Sequence, residues 1–220
     1  MKKAFDVPRM LRLIAAAVRP FPKAAMFELA DRGHTSVFEQ LVACIISIRT
    51  RDEVMLPTAL ALFRLASEPA AMARLGARRI DELIHDSAFH DAKARQIHAI
   101  AERAERELGG SLPCDESVLR SFAGVGPKCA HLVLGIACGQ KALGVDVHVH
   151  RVTNRWGLVS AKTPEQTMAA LESLLPPRYW LDLNRLLVPF GKHICTRTLP
   201  KCTTCPVLDY CRQVGVGGRR

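Results

Sequence analysis

The chain has 220 residues, of which 49% are hydrophobic and 24% are charged. This composition is that of a soluble globular protein, not of a disordered or membrane one, and allows one large or two small domains. The 31 lysines and arginines outnumber the 21 aspartates and glutamates, and the net charge of +10 favours a polyanionic partner such as nucleic acid.

The N-terminal segment predicts an amphipathic helix, because Met10, Leu11, Ile14 and Val18 recur at helical spacing. Its apolar run LIAAAV is shorter than the roughly 7–15 residues of a signal-peptide core. No later segment approaches the roughly 20 apolar residues of a membrane span. We therefore expect no membrane association and a cytoplasmic protein whose thiols stay reduced.

Helical patterns continue along the chain. Ser36 with Glu39, and Thr163 with Gln166, each predict a capping box at a helix start. Apolar spacing predicts helices over FRLASEPAAMARL, RRIDELI and DAKARQIHAIAERAEREL. VDVHVHRV alternates like a strand but continues into TNRWGLV without a turn, so we predict a helix there and a frayed tail at VGVGGRR. The predicted fold class is all-α.

A glycine hairpin lies in FAGVGPKCAHLVLGIA, where Gly124 and Gly126 flank Val125 and an apolar helix begins at Pro127. Glycines allow a tight turn whose backbone N–H groups reach a phosphate, and the helix N-terminus adds a favourable dipole. On its own this pattern indicates an ordinary loop between helices, and it is the helix on each side and the lysine that follows that favour a phosphate-binding hairpin.

Lys128 follows in the first turn of that helix, where a positive charge is unfavourable and a neutral, nucleophilic amine is favoured. Further along, GVDVHVHRVTNR supplies Asp146, His148 and Arg151. A carboxylate such as Asp146 can accept a proton or stabilise a developing sugar cation. Taken singly, Lys128 is more simply a solvated lysine that contacts phosphate, Asp146 an N-cap or salt-bridge partner, and His148 an ordinary helix residue.

Half of the eight cysteines lie in CTRTLPKCTTCPVLDYC, residues 195–211. They are Cys195, Cys202, Cys205 and Cys211. In a reducing compartment this clustering predicts a metal centre. Structural zinc sites use two close cysteine pairs separated by a longer arm, whereas this loop has one close pair, which favours [4Fe–4S] over zinc. We predict that Cys44, Cys129 and Cys138 are small core residues and that Cys114 lies in a loop.

The cysteine spacing resembles the cluster loop of the endonuclease III family of DNA repair glycosylases. The preceding segment resembles the helix-hairpin-helix-Gly/Pro-Asp motif of the same superfamily, with a hairpin, a lysine and then V-D-x-H-x-x-R. The matching residues are Gly124, Val125, Gly126, Lys128, Asp146, His148 and Arg151. The resemblance extends from about Phe38 to Cys211, and the one nearby departure is Phe122-Ala123 in place of Leu-Pro before the hairpin.

The resemblance implies an all-α, two-domain helix-hairpin-helix DNA glycosylase fold. Residues 30–140 would carry the hairpin, and residues 1–29 with 141–220 would carry the [4Fe–4S] loop, with the active site in the cleft between them. Double-stranded DNA containing damaged bases or abasic sites would be the partner, bound by a monomer at the nucleoid of a bacterium. The implied substrate is an oxidised pyrimidine, flipped out of the duplex.

The implied reaction begins when the Lys128 amine displaces the base at C1′ and forms a Schiff base, with Asp146 assisting. β-Elimination then cuts the strand. Two alternatives stay open. A monofunctional uracil or thymine mismatch glycosylase is disfavoured, because such enzymes generally lack the lysine. A non-catalytic DNA-binding paralogue is the other.

The resemblance also implies DNA contacts away from the catalytic pair. Arg197 and Lys201 occupy a loop that presents basic residues to phosphates. Arg49 stands where relatives have a glutamine that fills the gap left by the everted base, and Arg51 adds a second charge nearby. Phe89 stands near where relatives place an apolar wedge, although a core aromatic explains it equally well.

Overall fold

The computed structural model describes residues 2–220, which contain eleven α-helices, one 3-10 helix and no β-strand. The α-helices are α1 (Val7–Val18), α2 (Ala25–Asp31), α3 (Val37–Ser47), α4 (Asp52–Leu65), α5 (Pro69–Leu83), α6 (His90–Glu107), α7 (Glu116–Arg120), α8 (Pro127–Cys138), α9 (Val147–Trp156), α10 (Pro164–Leu174) and α11 (Trp180–His193). The 3-10 helix is Pro177–Tyr179. The all-α prediction is confirmed. None of the helices in this part of the chain combines the length and apolar content that crossing a bilayer requires.

The chain divides into two compact units. The first joins the residues up to Ala24 with Lys141–Arg220, and the second is Ala25–Gln140. Our predicted boundary at residue 30 lies inside α2. Because α2 packs against α3, α4 and α8, the whole of α2 belongs to the second unit.

The second unit is built around α3. Every residue from Leu41 to Ile46 is fully buried, as expected for a helix that is enclosed on all sides. The capping box predicted at its start is confirmed. Ser36 Oγ accepts the N–H of Glu39 (3.1 Å), and Glu39 Oε2 accepts the N–H of Ser36 (3.2 Å).

The helix predicted over FRLASEPAAMARL is interrupted, which corrects our prediction. α4 ends at Leu65 and α5 begins at Pro69, and Glu68 between them is extended (φ −107°, ψ 150°). Proline cannot donate a helical hydrogen bond, and its ring disfavours a helical residue before it. α5 is itself kinked at Gly76 (φ 74°), which separates the two segments that we predicted as distinct helices.

A disulfide joins Cys114 to Cys138, whereas we predicted that Cys138 is a free core residue. Cys138 is the last residue of α8, and Cys114 lies in the loop before α7, with the two Cα atoms 6.0 Å apart. This separation is typical of disulfides. The prediction was wrong because it rested on the redox compartment and took no account of which thiols the fold brings together. Cys44 and Cys129 are buried, as predicted.

The first unit has its own core, in which α1 and α9 both pack against α11. The apolar stripe predicted for α1 is confirmed, and its buried members include Met10, Leu11, Ile14 and Val18. Among residues 2–220, Trp156 of α9 and Phe190 of α11 are the largest fully buried side chains. The helix predicted over VHVHRVTNR is also confirmed, as α9.

The start of α10 departs slightly from a capping box. Thr163 Oγ1 accepts the N–H of Gln166 (3.2 Å), as predicted. The Gln166 side chain, however, accepts the N–H of Lys162 (3.0 Å) and not that of the cap residue itself. Both exposed donors are still satisfied, so the helix start is stable with the reciprocal bond shifted by one residue.

Candidate functional site

The glycine hairpin connects α7 to α8 in the second unit. Gly124 has a φ of 77°, a left-handed conformation that favours glycine. A Cβ at this position would lie 2.9 Å from Gln96 Nε2, and that amide donates to the carbonyl of Ala123. α6 therefore holds the turn closely. Gly126 is the N-cap of α8, and a Cβ there would meet open space, so its backbone is sterically accessible.

Val125 is turned inward, which changes the role we predicted for it. Its side chain is buried, and its N–H donates to the carbonyl of Phe122 (3.1 Å). Phe122 is also buried and lies under the guanidinium of Arg103, 4.9 Å from ring centroid to Cζ. Val125 and Phe122 thus anchor the hairpin from beneath, and the turn forms without the Leu-Pro of relatives.

Lys128 is the second residue of α8 and is half-buried. Below it, α8 packs against α3, where the thiols of Cys44 and Cys129 form a buried hydrogen-bonded pair. The Cys129 thiol holds the pKa of Cys44 below its usual range against the effect of burial, and the positive charge of Lys128 acts in the same direction. The stem of Lys128 is thus close to a packed interior, at the same end of α8 as the hairpin.

Arg49 and Phe89 share an unusual backbone conformation. Arg49 follows α3 with a φ of 53°, and Phe89 precedes α6 with a φ of 58°. Both side chains are exposed, Phe89 by 61%, so the core-aromatic alternative for Phe89 is wrong. Arg51 is also exposed, at the N-cap of α4. Left-handed backbone in residues that carry a side chain is strained, and such strain is typical of functional sites.

In the first unit, Asp146 is the N-cap of α9. Its Oδ1 accepts the N–H groups of His148 (3.0 Å) and Val149 (2.8 Å). The capping role that we considered as an alternative is therefore confirmed. Both bonds end on one oxygen, so the cap fixes the carboxylate and does not use Oδ2.

Arg151 contacts the protein interior. Its Nη2 donates to the carbonyls of Gly191 (2.9 Å) and Cys195 (3.1 Å) and lies 3.2 Å from His148 Nδ1. A Cβ on Gly191 would lie 2.7 Å from His148 Nδ1 and 3.0 Å from Arg151 Nη2. We predicted that His148 and Arg151 contact DNA. Through these hydrogen bonds Arg151 instead connects α9 to α11 and to the cysteine loop.

Arg155 holds the backbone of the cysteine loop, a contact that the sequence analysis did not predict. Its Nη1 donates to the carbonyl of Thr196 (2.6 Å) and lies 3.5 Å from Cys195 Sγ, and its Nη2 donates to the carbonyl of Arg197 (2.8 Å). It stands one helical turn after Arg151, on the same face of α9. The spacing of the two arginines in RVTNR is the sequence signal that could have identified this contact.

The four cysteines of residues 195–211 line one cavity, together with Arg155, Trp156 and Phe190. Burial raises the pKa of Cys205 to about 12, and the neighbouring thiols act in the same direction. Burial likewise raises the pKa of Cys211. Within residues 2–220, no three His, Cys, Asp or Glu side chains are grouped so that they could hold a metal ion.

The surface of the cysteine loop carries the predicted basic residues. Arg197 is exposed and Lys201 is partly exposed. The N–H of Lys201 donates to the carbonyl of Ile194 (2.9 Å). The tail that we predicted to fray is bound to this loop, because Arg220 N–H donates to the carbonyl of Pro200 (3.0 Å). Both basic side chains are therefore presented by a held backbone.

Comparison with known families gives a match over residues 42–177 to the family described as HhH-GPD superfamily base excision DNA repair protein. Endonuclease III of Thermotoga maritima is 36% identical over 194 residues, which cover 88% of this chain and 88% of that protein. Endonuclease III homolog 2, chloroplastic, of Arabidopsis thaliana is 36% identical over 79% of this chain and 47% of its own, longer chain.

Solved structures give similar matches. A trapped endonuclease III–DNA covalent intermediate superposes with a TM-score of 0.75 and 27% identity, covering 81% of this chain and 84% of that one. A thermostable thymine-DNA glycosylase has a TM-score of 0.78 over 94% of both chains. At 21% identity, this second likeness shows the shared fold alone.

Proposed function

Because the chain belongs to the HhH-GPD superfamily of base excision DNA repair proteins, we propose that it is a DNA glycosylase with AP lyase activity that acts on oxidised pyrimidines in duplex DNA. One observation carries the proposal. A lysine stands at the second position of α8, directly after the glycine hairpin, in a chain that is 36% identical to an endonuclease III over 88% of its length. Incision of duplexes that carry an oxidised pyrimidine or an abasic site tests it.

In the proposed reaction, the neutral amine of Lys128 attacks C1′ of the damaged nucleotide, and the bond from C1′ to the base breaks as the bond from Nζ to C1′ forms. The base leaves with the electron pair of the broken bond and takes up a proton. Loss of a proton from the nitrogen and opening of the sugar give a protonated Schiff base. Removal of a proton from C2′ then expels the 3′ phosphate. Hydrolysis of the Schiff base restores the amine.

Asp146 supplies the negative charge in this scheme. Its Oδ1 is occupied by the N-cap of α9, which holds the carboxylate in one orientation before substrate binds. A fixed charge stabilises a developing sugar cation better than one that must reorganise. We assign Oδ2 to the sugar, as electrostatic partner of the cation or as acceptor of a proton.

Duplex DNA would be held by backbone groups and by basic side chains. The accessible backbone of Gly126 at the N-terminus of α8 suits a phosphate, because helix N-termini attract anions. Arg197 and Lys201 provide further phosphate contacts, and Arg49 with Phe89 would enter the gap left by the flipped nucleotide. The protein would act as a monomer on chromosomal DNA, which in a bacterium is the cytoplasmic nucleoid.

We further propose that Cys195, Cys202, Cys205 and Cys211 hold a [4Fe–4S] cluster. The four thiols line one cavity in the first unit. Four cysteine thiolates are the ligand set that such a cluster would use, and these four residues would supply it. When bound, such a cluster supplies a positive core that keeps the thiols ionised and fixes the loop.

Purified protein should contain about four irons per chain and should be brown. Cys202→Ser should lose most of the iron and precipitate readily, because metal binding and folding of the loop are coupled. Cys114→Ser/Cys138→Ser, which removes both cysteines of the disulfide outside the loop, is the control and should keep its iron. The measurement is iron and zinc content after anaerobic purification, and one equivalent of zinc without iron would contradict the assignment.

Binding to undamaged duplex DNA should weaken steeply with salt, because phosphate contacts release counterions. Arg197→Ala and Lys201→Ala should each lower the slope of log K against log salt by about one. Arg78→Ala, which removes a charge with a side chain that is 96% exposed on α5, serves as control. Slopes unchanged in both loop variants would place the DNA surface elsewhere.

A further inference from the structure

The strained backbone at Arg49 and Phe89 needs a source of support. A left-handed residue with a side chain costs on the order of 1 kcal/mol or more and persists only where its surroundings hold it. Both positions lie in the second unit, one in the turn between α3 and α4 and the other directly before α6. Each side chain is exposed, so packing of the side chain cannot supply the support.

A buried lysine holds the turn that contains Arg49. Lys93, the fourth residue of α6, is only 4% exposed. Its Nζ donates to the carbonyls of Ile46 (2.8 Å) and Ile48 (2.7 Å) and to Thr50 Oγ1 (3.0 Å). These acceptors lie on both sides of Arg49, and together they match the three donors of an ammonium group. Burial lowers the pKa of Lys93 to about 8, in accordance with its enclosed position.

The hydroxyl of Thr50 extends the same hydrogen-bond network to the turn that contains Phe89. Thr50 Oγ1 accepts the N–H of Ala88 (3.2 Å) as well as the bond from Lys93, and it donates to the carbonyl of Ile48 (3.3 Å). The backbone N–H of Lys93 donates to the carbonyl of Phe89 (3.1 Å). A hydroxyl has one donor and two acceptor positions, and all three are used.

The two strained turns are therefore joined by one hydrogen-bond network. Ile48 and Thr50 flank Arg49, Ala88 precedes Phe89, and Lys93 connects both sets. We propose that Lys93 and Thr50 are positioning residues that fix the spacing between Arg49 and Phe89, so that both side chains enter the same DNA gap together. This inference rests on the proposed function, in which these two side chains meet the gap. Neither Lys93 nor Thr50 needs to touch DNA.

Thr50→Val carries the test, because it removes the hydroxyl and keeps the shape of the side chain. Lys93→Met would remove all three hydrogen bonds of the buried ammonium group and is liable to unfold the unit. The measured quantity is the ratio of affinities for a duplex with an abasic-site analogue and for the undamaged duplex. Thr50→Val removes the three hydrogen bonds of the hydroxyl and should lower this ratio about tenfold. Thr35→Val, on an exposed threonine, should leave it unchanged.

A positioning role is separated from a merely structural one by repeating Thr50→Val in the Arg49→Ala/Phe89→Ala background. If Thr50 acts through those two side chains, the second measurement should show no further loss. An equal tenfold loss in both backgrounds, or no loss in either, would overturn the inference. An Arg49→Ala/Phe89→Ala protein with an unchanged ratio would overturn it as well, together with the gap contact. Because the readout is binding, a failure of the catalytic assignment appears separately in strand cleavage.

Discussion

Lys128→Gln should lower the rate of strand cleavage at an abasic site by roughly three orders of magnitude or more, the scale seen when a covalent nucleophile is removed. Glutamine keeps most of the length of the side chain and has nearly the same helix propensity as lysine. It also removes a positive charge from the N-terminal turn of α8, where the helix dipole disfavours it. The variant should therefore fold, and single-turnover cleavage of an abasic duplex measures its chemistry.

Binding supplies the control for this prediction. Lys128→Gln should bind an abasic-site analogue within a few-fold of the wild type, because one charge is lost among many phosphate contacts. Lys162→Gln makes the same substitution at an exposed lysine and should leave cleavage unchanged. Cleavage by Lys128→Gln at the wild-type rate would mean that another group is the nucleophile.

Asp146→Asn should slow base release by about two to four orders of magnitude, because it removes the charge that the proposed mechanism assigns to stabilising the developing sugar cation. The substitution separates charge from capping. Asparagine is as good an N-cap as aspartate, so its Oδ1 can still accept the N–H groups of His148 and Val149. The measurement is single-turnover release of an oxidised pyrimidine, with the melting temperature of the variant as a check on folding.

Two comparisons make the role of Asp146 specific. Cleavage of a preformed abasic site should fall less than base release in Asp146→Asn, since the base has already left. Asp146→Ala should lose stability as well as activity, because a missing N-cap costs about 1 kcal/mol. Equal losses of base release and of abasic cleavage in Asp146→Asn would show that the carboxylate acts on the lysine and not on the sugar cation.

Local signals in the sequence were sufficient for most of the helices. Ser36 and Glu39 formed the capping box that their spacing predicts, because capping depends on residues within one turn. The stripe of α1 was equally local. The prediction of one helix over FRLASEPAAMARL was wrong, because the apolar spacing was given more weight than the proline at position 69, whose geometry imposes a break.

Residues that connect distant segments could not be predicted in the same way. Lys93 contacts backbone that is more than forty positions away, and Arg155 is equally far from the cysteine loop. From sequence alone, a polar residue in a helical pattern is predicted to be solvent-exposed, because its partners in the fold are not known. The bond between Cys114 and Cys138 had the same cause, since only the fold brings the two thiols together.

The predicted DNA contacts were uneven for a related reason. Phe89 could be a wedge or a core residue by sequence, and its exposure decides against the core. Arg151 matched the family motif, yet its guanidinium is committed to the carbonyls of Gly191 and Cys195. A motif identifies which residues recur at a site but does not state whether a side chain faces the substrate or the protein.

The central claim is that Lys128 bonds covalently to C1′ of the damaged nucleotide. Borohydride reduction of the wild-type protein with abasic duplex DNA, followed by peptide mapping, tests it most directly, because reduction makes a Schiff base permanent. We expect a protein–DNA adduct whose modified peptide contains Lys128, and no adduct with Lys128→Gln. An adduct on a different residue, or no adduct with the wild type on either an abasic or an oxidised-pyrimidine duplex, would contradict the claim.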